Sequence, residues 1–181
     1  MTSTVPDLQD AGVRLRRPCE ADIDARFALG TNADIARMFG VSRDNVRPFT
    51  RAAAEKWVRN FDQHPHAWII EAEGSLIGEI RLDRVDLQDR RASMAIGIYD
   101  TTCLGRGFGS KAIKLVLGYA FGAMQLHRIS VRVLAYNDRA IRAYEKCGFV
   151  PEGRERETAF VDGHWYDDII MGVLAHEFAA L

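Results

Sequence analysis

Three glycines in five residues separate two very different stretches of this chain. The turn reads Gly105-Arg106-Gly107-Phe108-Gly109-Ser110. Before it, Ala92 to Tyr99 reads as a strand; after it, Lys111 to Met124 reads as a helix. A glycine-dense turn between strand and helix constrains the fold strongly. It fixes a strand–turn–helix unit and leaves several backbone N–H groups exposed at the positive end of the helix. That arrangement suits the binding of phosphate.

Two common phosphate motifs do not fit. A nucleotide-binding P-loop needs a Gly-Lys-Ser/Thr ending. Here Lys111 follows Ser110, and Ala112 stands where the metal-holding hydroxyl would be. A dinucleotide fingerprint needs G-x-G-x-x-G after a first strand, with an acidic residue about 20 positions on. This turn is G-x-G-x-G in mid-chain, and Gln125-Leu126-His127-Arg128 after the helix offers no acid.

The 181 residues suffice for one domain with a sizeable core, and 48% apolar content is ordinary for a globular protein. A net charge of −1 gives no broad attraction to nucleic acid or anionic membrane, and no apolar run approaches a membrane span. Residues 1–10 lack a signal pattern. Cys19, Cys103 and Cys147 are few, odd in number and widely spaced, which fits a reducing, cytoplasmic compartment and no metal site.

Residues 1–12 read as a flexible segment, 13–176 as a single domain and 177–181 as a tail. Val13-Arg14-Leu15-Arg16 is a first strand, Glu20 to Leu29 a helix, and Thr31 to Thr50 irregular. Thr50 caps a helix from Arg51 to Phe61. Ala67 to Ala72 and Ser75 to Val85 form a hairpin about Glu73-Gly74. Arg128 to Leu134 alternates as a strand, and Asp138 to Cys147 is a short helix closed by Gly148. Late strands near Arg156 to Val161 and Tyr166 to Val173 flank Asp162-Gly163, a strong hairpin signal. The class is α+β with a mostly antiparallel sheet.

Leu104-Gly105-Arg106-Gly107-Phe108-Gly109 is followed, after a helix and a strand, by Asn137-x-x-Ala140-x-x-x-Tyr144-x-Lys146-x-Gly148-Phe149. This ordered set resembles the GCN5-related N-acetyltransferases, or GNAT family. Within the family it is similar to the branch of ribosomal-protein N-terminal and spermidine acetyltransferases, as is the late Asp162-Gly163-His164-Trp165-Tyr166-Asp167 hairpin. The resemblance runs from Arg14 to Leu174. It implies a central sheet of about seven strands, flanked by helices, in which the fourth and fifth are splayed. Leu104 departs from the Gln or Arg common in the family. Ser93 and Ala95 stand where many members carry a general-base glutamate on the fourth strand.

The resemblance further implies an N-acetyltransferase that uses acetyl-CoA and no metal, in which an amine attacks the thioester directly within a ternary complex. Ile96, Ile98, Leu104, Gly105, Arg106, Gly107, Phe108, Gly109, Ser110, Asn137, Ala140 and Tyr144 would hold the cofactor. A backbone N–H near Ile98 would stabilise the oxyanion, and Tyr144 would protonate the departing thiolate. Arg106, Arg139 and Arg142 are candidates to add charge near the phosphates. Glu79, Asp100, Tyr166 and Asp167 are candidates for water-mediated deprotonation. The acceptor side would include Arg37, Arg43, Arg47, Glu79 and Tyr166. From Arg37 to Arg51, four arginines face only Asp44, which favours an acceptor with a carboxylate. The acceptor is thus a peptide N-terminus or small amine, with a polyamine such as spermidine, or a catalytically silent acyl-CoA-binding module, as alternatives. A homodimer or higher homo-oligomer is the expectation for assembly, with no nucleic acid or membrane partner.

Overall fold

The computed structural model describes residues 5–10 and 12–179. Eight strands form one sheet, ordered β1-β2-β3-β4-β5-β6-β8-β7. They are β1 (Leu8–Asp10), β2 (Val13–Arg16), β3 (Ala67–Ala72), β4 (Ser75–Asp86), β5 (Arg91–Ile98), β6 (Arg128–Leu134), β7 (Val150–Val161) and β8 (His164–Leu174). Every neighbouring pair is antiparallel except β5 and β6. Six helices flank the sheet: α1 (Asp22–Leu29), α2 (Ala33–Met38), α3 (Arg51–Gln63), α4 (Phe108–Gly122), α5 (Asp138–Glu145) and α6 (Ala175–Phe178).

Side-chain alternation divides the core between the two faces. On β3, Trp68 and Ile70 point to the α4 side, while Ala67 and Ile69 meet Phe61 and Trp57 of α3. The buried stripe of α4 is Phe108, Ala112, Ile113, Val116, Leu117 and Ala120, one face of a helix. Both hairpins turn as their sequences require. Glu73-Gly74 and Asp162-Gly163 each place two residues at positive φ, from 50° to 79°, as a type I′ turn demands.

The one parallel pair is short. β5 and β6 are in register only over Arg91–Ser93 and Arg128–Ser130. Beyond Ser93 and Ser130 they diverge and open a split in the middle of the sheet.

Three elements, β1, α2 and α6, are absent from the sequence reading. The sheet has eight strands rather than about seven, because β1 lies inside the segment assigned to 1–12 as flexible; there Val5 is buried as well. Residues 1–4 and 11 of that segment, and 180–181 of the expected tail, lie outside the described residues. The start of the tail belongs to α6, where Phe178 packs on Phe121 at 5.6 Å. Within the stretch read as irregular, α2 forms because the Asn32 side chain accepts from the N–H groups of Asp34 and Ile35. No helix among the described residues is long and apolar enough to cross a membrane. Among those residues no group of three His, Cys, Asp or Glu side chains is placed to hold a metal ion.

Candidate active site

The split between β5 and β6 opens into a cavity of about 760 Å³. One end is the glycine turn. Gly105 and Gly107 sit at φ +75° and +84°, a region costly for any residue with a Cβ, and Gly107 is the left-handed N-cap of α4. The first intrahelical bond runs from Lys111 N to Gly107 O at 3.1 Å. The N–H groups of Phe108, Gly109 and Ser110 therefore have no intrahelical acceptor, and they stand at the positive end of a 15-residue helix. Ile96 and Ile98 line the cavity beside them, close to Gly109. Arg106 turns elsewhere: it pairs with Glu73 of the β3–β4 hairpin and lies 4.8 Å over the Phe108 ring.

The wall opposite is α5. Asn137 caps it, accepting from Ala140 N at 3.2 Å and donating from Nδ2 to Met38 O at 3.4 Å, which ties α5 to α2. Asn137, Ala140, Arg139, Arg142, Tyr144 and Lys146 all line the cavity. Tyr144 is 6% exposed and packs on Phe149 at 5.4 Å between ring centroids. Among the described residues nothing hydrogen-bonds its hydroxyl. Burial raises its pKa well above the ordinary tyrosine value, so the proton stays on. Arg139, Arg142 and Lys146 have no ion-pair partner among the described residues and give this end a positive charge.

The far end lies on the other face of the sheet. Ile35, Met38 and Phe39 of the α2 region meet Thr158 and Phe160 of β7 and Asp168 of β8 there. The arginines expected to make this end basic are engaged elsewhere. Arg37 pairs with Asp162 at 3.0 Å and lies 4.4 Å over Tyr136, with its Nη2 3.4 Å from the Tyr166 hydroxyl. Arg43 pairs with Asp34, Arg51 with Asp24, and Arg47 donates to the carbonyls of Asp44 and Val46. Asp162, Asp34 and Asp24 each meet one guanidinium group, and the loop's own Asp44 balances the charge of Arg47, which backbone carbonyls hold. The expected local charge of +3 is not there, and nothing among the described residues at this end favours an anionic acceptor.

The base candidates are likewise occupied. Glu79 is 7% exposed and takes hydrogen bonds from the Trp57 indole and from Arg81. Burial pushes its carboxyl up against the pull of those donors and of Tyr99. Arg26 lies close by, between Phe49 at 3.8 Å and Tyr99 at 4.1 Å. Glu79 does not line the cavity. Asp100 caps the short turn Thr101–Cys103, and Asp167 is bound to Arg154 at 2.8 Å and to the Glu157 N–H.

The GNAT acetyltransferase domain model matches residues 13–150. The chain belongs to the GNAT family. The spermidine N(1)-acetyltransferase of Escherichia coli K12 is 29% identical over 119 residues, which span 66% of this chain and 63% of that protein's length. YdaF of Bacillus subtilis, provisionally named a ribosomal N-acetyltransferase, is 28% identical over 172 residues, 92% of each chain. The crystal structure of spermidine N-acetyltransferase from Vibrio cholerae in complex with CoA and spermine superposes with a TM-score of 0.76. It is 26% identical and covers 94% of this chain and 99% of that one.

In this GNAT domain the split brings together most residues named from the sequence. Ile96, Ile98, Leu104, Gly105, Gly107, Gly109, Ser110, Asn137, Ala140 and Tyr144 share one cavity. Phe108 is buried beneath the turn, and Arg106, Arg37, Arg43, Arg47, Glu79 and Tyr166 are not among the lining residues. Missed were Met38, Phe39, Arg132 and Asp168. The sequence holds a faint signal for the last: β8 alternates, and Asp168 takes the same parity as Ile170 and Gly172, not that of the core residues Met171 and Val173.

Proposed function

We propose that this GNAT domain transfers the acetyl group of acetyl-CoA to a primary amine by direct attack in a ternary complex. One observation carries the reading. The hydroxyl of a buried tyrosine, without a hydrogen-bond partner among the described residues, lines the same cavity as the helix N-terminus whose first N–H groups have no intrahelical acceptor. The cavity fits the cosubstrate chemically: N–H groups and three unpaired cations stand at one end, and apolar Ile96, Ile98 and Ile113 lie next to them. Acetyl-CoA supplies an activated acetyl group as a thioester.

The chain's own residues then divide the work. The N–H groups of Phe108, Gly109 and Ser110 hold the pyrophosphate, and Arg139, Arg142 and Lys146 add charge there. A backbone N–H near Ile98 meets the oxyanion as it forms, a contribution of typically ~3–4 kcal/mol to the barrier. Tyr144 gives its proton to the departing sulfur. The amine reaches the split from the Met38–Phe39 side as the free base. Glu79 is sealed from the cavity, so no buried carboxylate of β4 takes its proton; an amine of low pKa, such as an α-amine near ~8, is the easiest nucleophile.

Release of free thiol from acetyl-CoA across a panel of peptides, amino-acid amides, diamines and spermidine tests this. Turnover with any member supports the reading. Tight CoA binding with no thiol released from the whole panel would leave a binding module in its place.

A further inference from the structure

Asp168 is the carboxylate at the acceptor end of the cavity, and the architecture gives it no complete set of partners. It is 5% exposed. β8 places it opposite Leu134 of β6, on the face of the sheet turned away from α4 and α5. Its Oδ2 accepts from the Thr158 hydroxyl at 2.9 Å and from Arg132 Nε at 3.1 Å. Among the described residues nothing meets Oδ1. Oδ1 is not one of the fully buried side-chain atoms left without a partner, so within this buried residue it is the oxygen that keeps access to the cavity. Arg132 offsets only part of the carboxylate's charge: its side chain is 64% exposed, and it is shared with Glu155 at 3.5 Å. Two carboxylates against one guanidinium leave this end of the cavity negative, while Arg139, Arg142 and Lys146 make the other end positive.

We propose that Asp168 is a specificity-determining residue whose Oδ1 receives a positive charge of the acceptor other than its reacting amine. The proposal rests on the acetyl-transfer reading above. A fixed carboxylate beside the nucleophile itself would favour its ammonium form and oppose attack. Placed at the far end, the same carboxylate holds a second ammonium and leaves the nucleophile free. Between the two, Met38, Phe39 and Phe160 offer an apolar wall that suits a short methylene chain. The acceptor class is therefore an aliphatic amine with a second cationic group a few carbons away.

The test compares 1,4-diaminobutane with butylamine at saturating acetyl-CoA, in the wild-type protein and in Asp168→Asn and Arg132→Gln. The quantity read is the ratio of kcat/KM for the two amines. The wild type should favour the diamine at least ~10-fold, and Asp168→Asn should lower that ratio about tenfold, mostly through KM. Arg132→Gln removes the competing cation and should raise the ratio. A merely structural Asp168 would instead lose rate equally with both amines, or change only Tm, and either result overturns the proposal. If Asp168→Asn does not fold, Arg132→Gln decides: an unchanged or lower ratio overturns it. A wild type that acetylates peptides but shows no preference for diamines defeats this inference and spares the function. A wild type inactive with every amine defeats both.

Discussion

On the proposed reading, Tyr144 serves two demands through one property. Burial at 6% exposure keeps its proton in place, because a phenolate would be poorly solvated against Phe149. The hydroxyl still faces the cavity. Tyr144→Phe keeps the ring and deletes the proton donor, so turnover should fall roughly 100- to 10,000-fold while CoA affinity, measured by calorimetry, stays within about twofold. Since burial raises the tyrosine pKa, an alkaline fall in rate below pH 10 should not arise from Tyr144; if that limb vanishes in Tyr144→Phe, the assignment fails. Tyr144 was legible in the sequence through the resemblance that the Asn137-x-x-Ala140-x-x-x-Tyr144 run carries, with helix geometry placing it on nearly the same face as Asn137. Asp168 was not. Asp167 and Asp168 are adjacent, and only the pairing of β8 with β6 decides which of them turns toward the cavity.

Among the elements, the turn before α4 was readable because only glycine adopts positive φ freely at two positions so close together. Open space surrounds Gly107, with nothing within 4 Å of an added Cβ, so the cost of Gly107→Ala is conformational rather than steric. The variant should lose about 1–2 kcal/mol from the left-handed cap, and CoA affinity should weaken tenfold or more as the free N–H groups shift; titration calorimetry reads both the binding loss and any loss of sites. The entry to α1 offers a test by pH. Burial alone would push the Asp22 carboxyl up, but Arg16 at 2.8 Å and the Cys19 N–H outweigh it and hold it below its ordinary value. A depressed acid stabilises the fold above its unfolded pKa and loses that contribution as pH falls through the folded one. Asp22→Asn should therefore cost about 3 kcal/mol at pH 7 by denaturant titration, and the gap to wild type should narrow below pH 4. What escaped sequence reading were short or broken elements. β1 has three residues and α2 six, too few for a period to show. β7 begins at Val150, earlier than expected, because register shifts around Pro151–Gly153 and Glu155–Ala159 hide its alternation.

For the molecule as a whole, the cofactor end touches both halves of the sheet: Ile96, Ile98 and the glycine turn belong to one, α5 to the other. A ligand bound across them should stabilise the fold by mass action. At 100 times its Kd, CoA should add about 2.7 kcal/mol, or roughly 5–10 °C in Tm for a chain of this size, measured by scanning calorimetry. A shift under 1 °C at that concentration would mean that the cavity does not hold it. The overall class was evident from the sequence because hairpin turns and helix stripes are local signals. The charge of the acceptor end was not, because the carboxylates that neutralise Arg37, Arg43 and Arg51 come from Asp162, Asp34 and Asp24, outside the loop or far along the chain. The short parallel seam of Arg91–Ser93 against Arg128–Ser130 has a mechanical side. With so few rungs joining the two half-sheets, we expect their amide hydrogens to exchange at different rates. A cosubstrate lying across the gap would act as a rivet, and the two exchange rates would draw together when it binds.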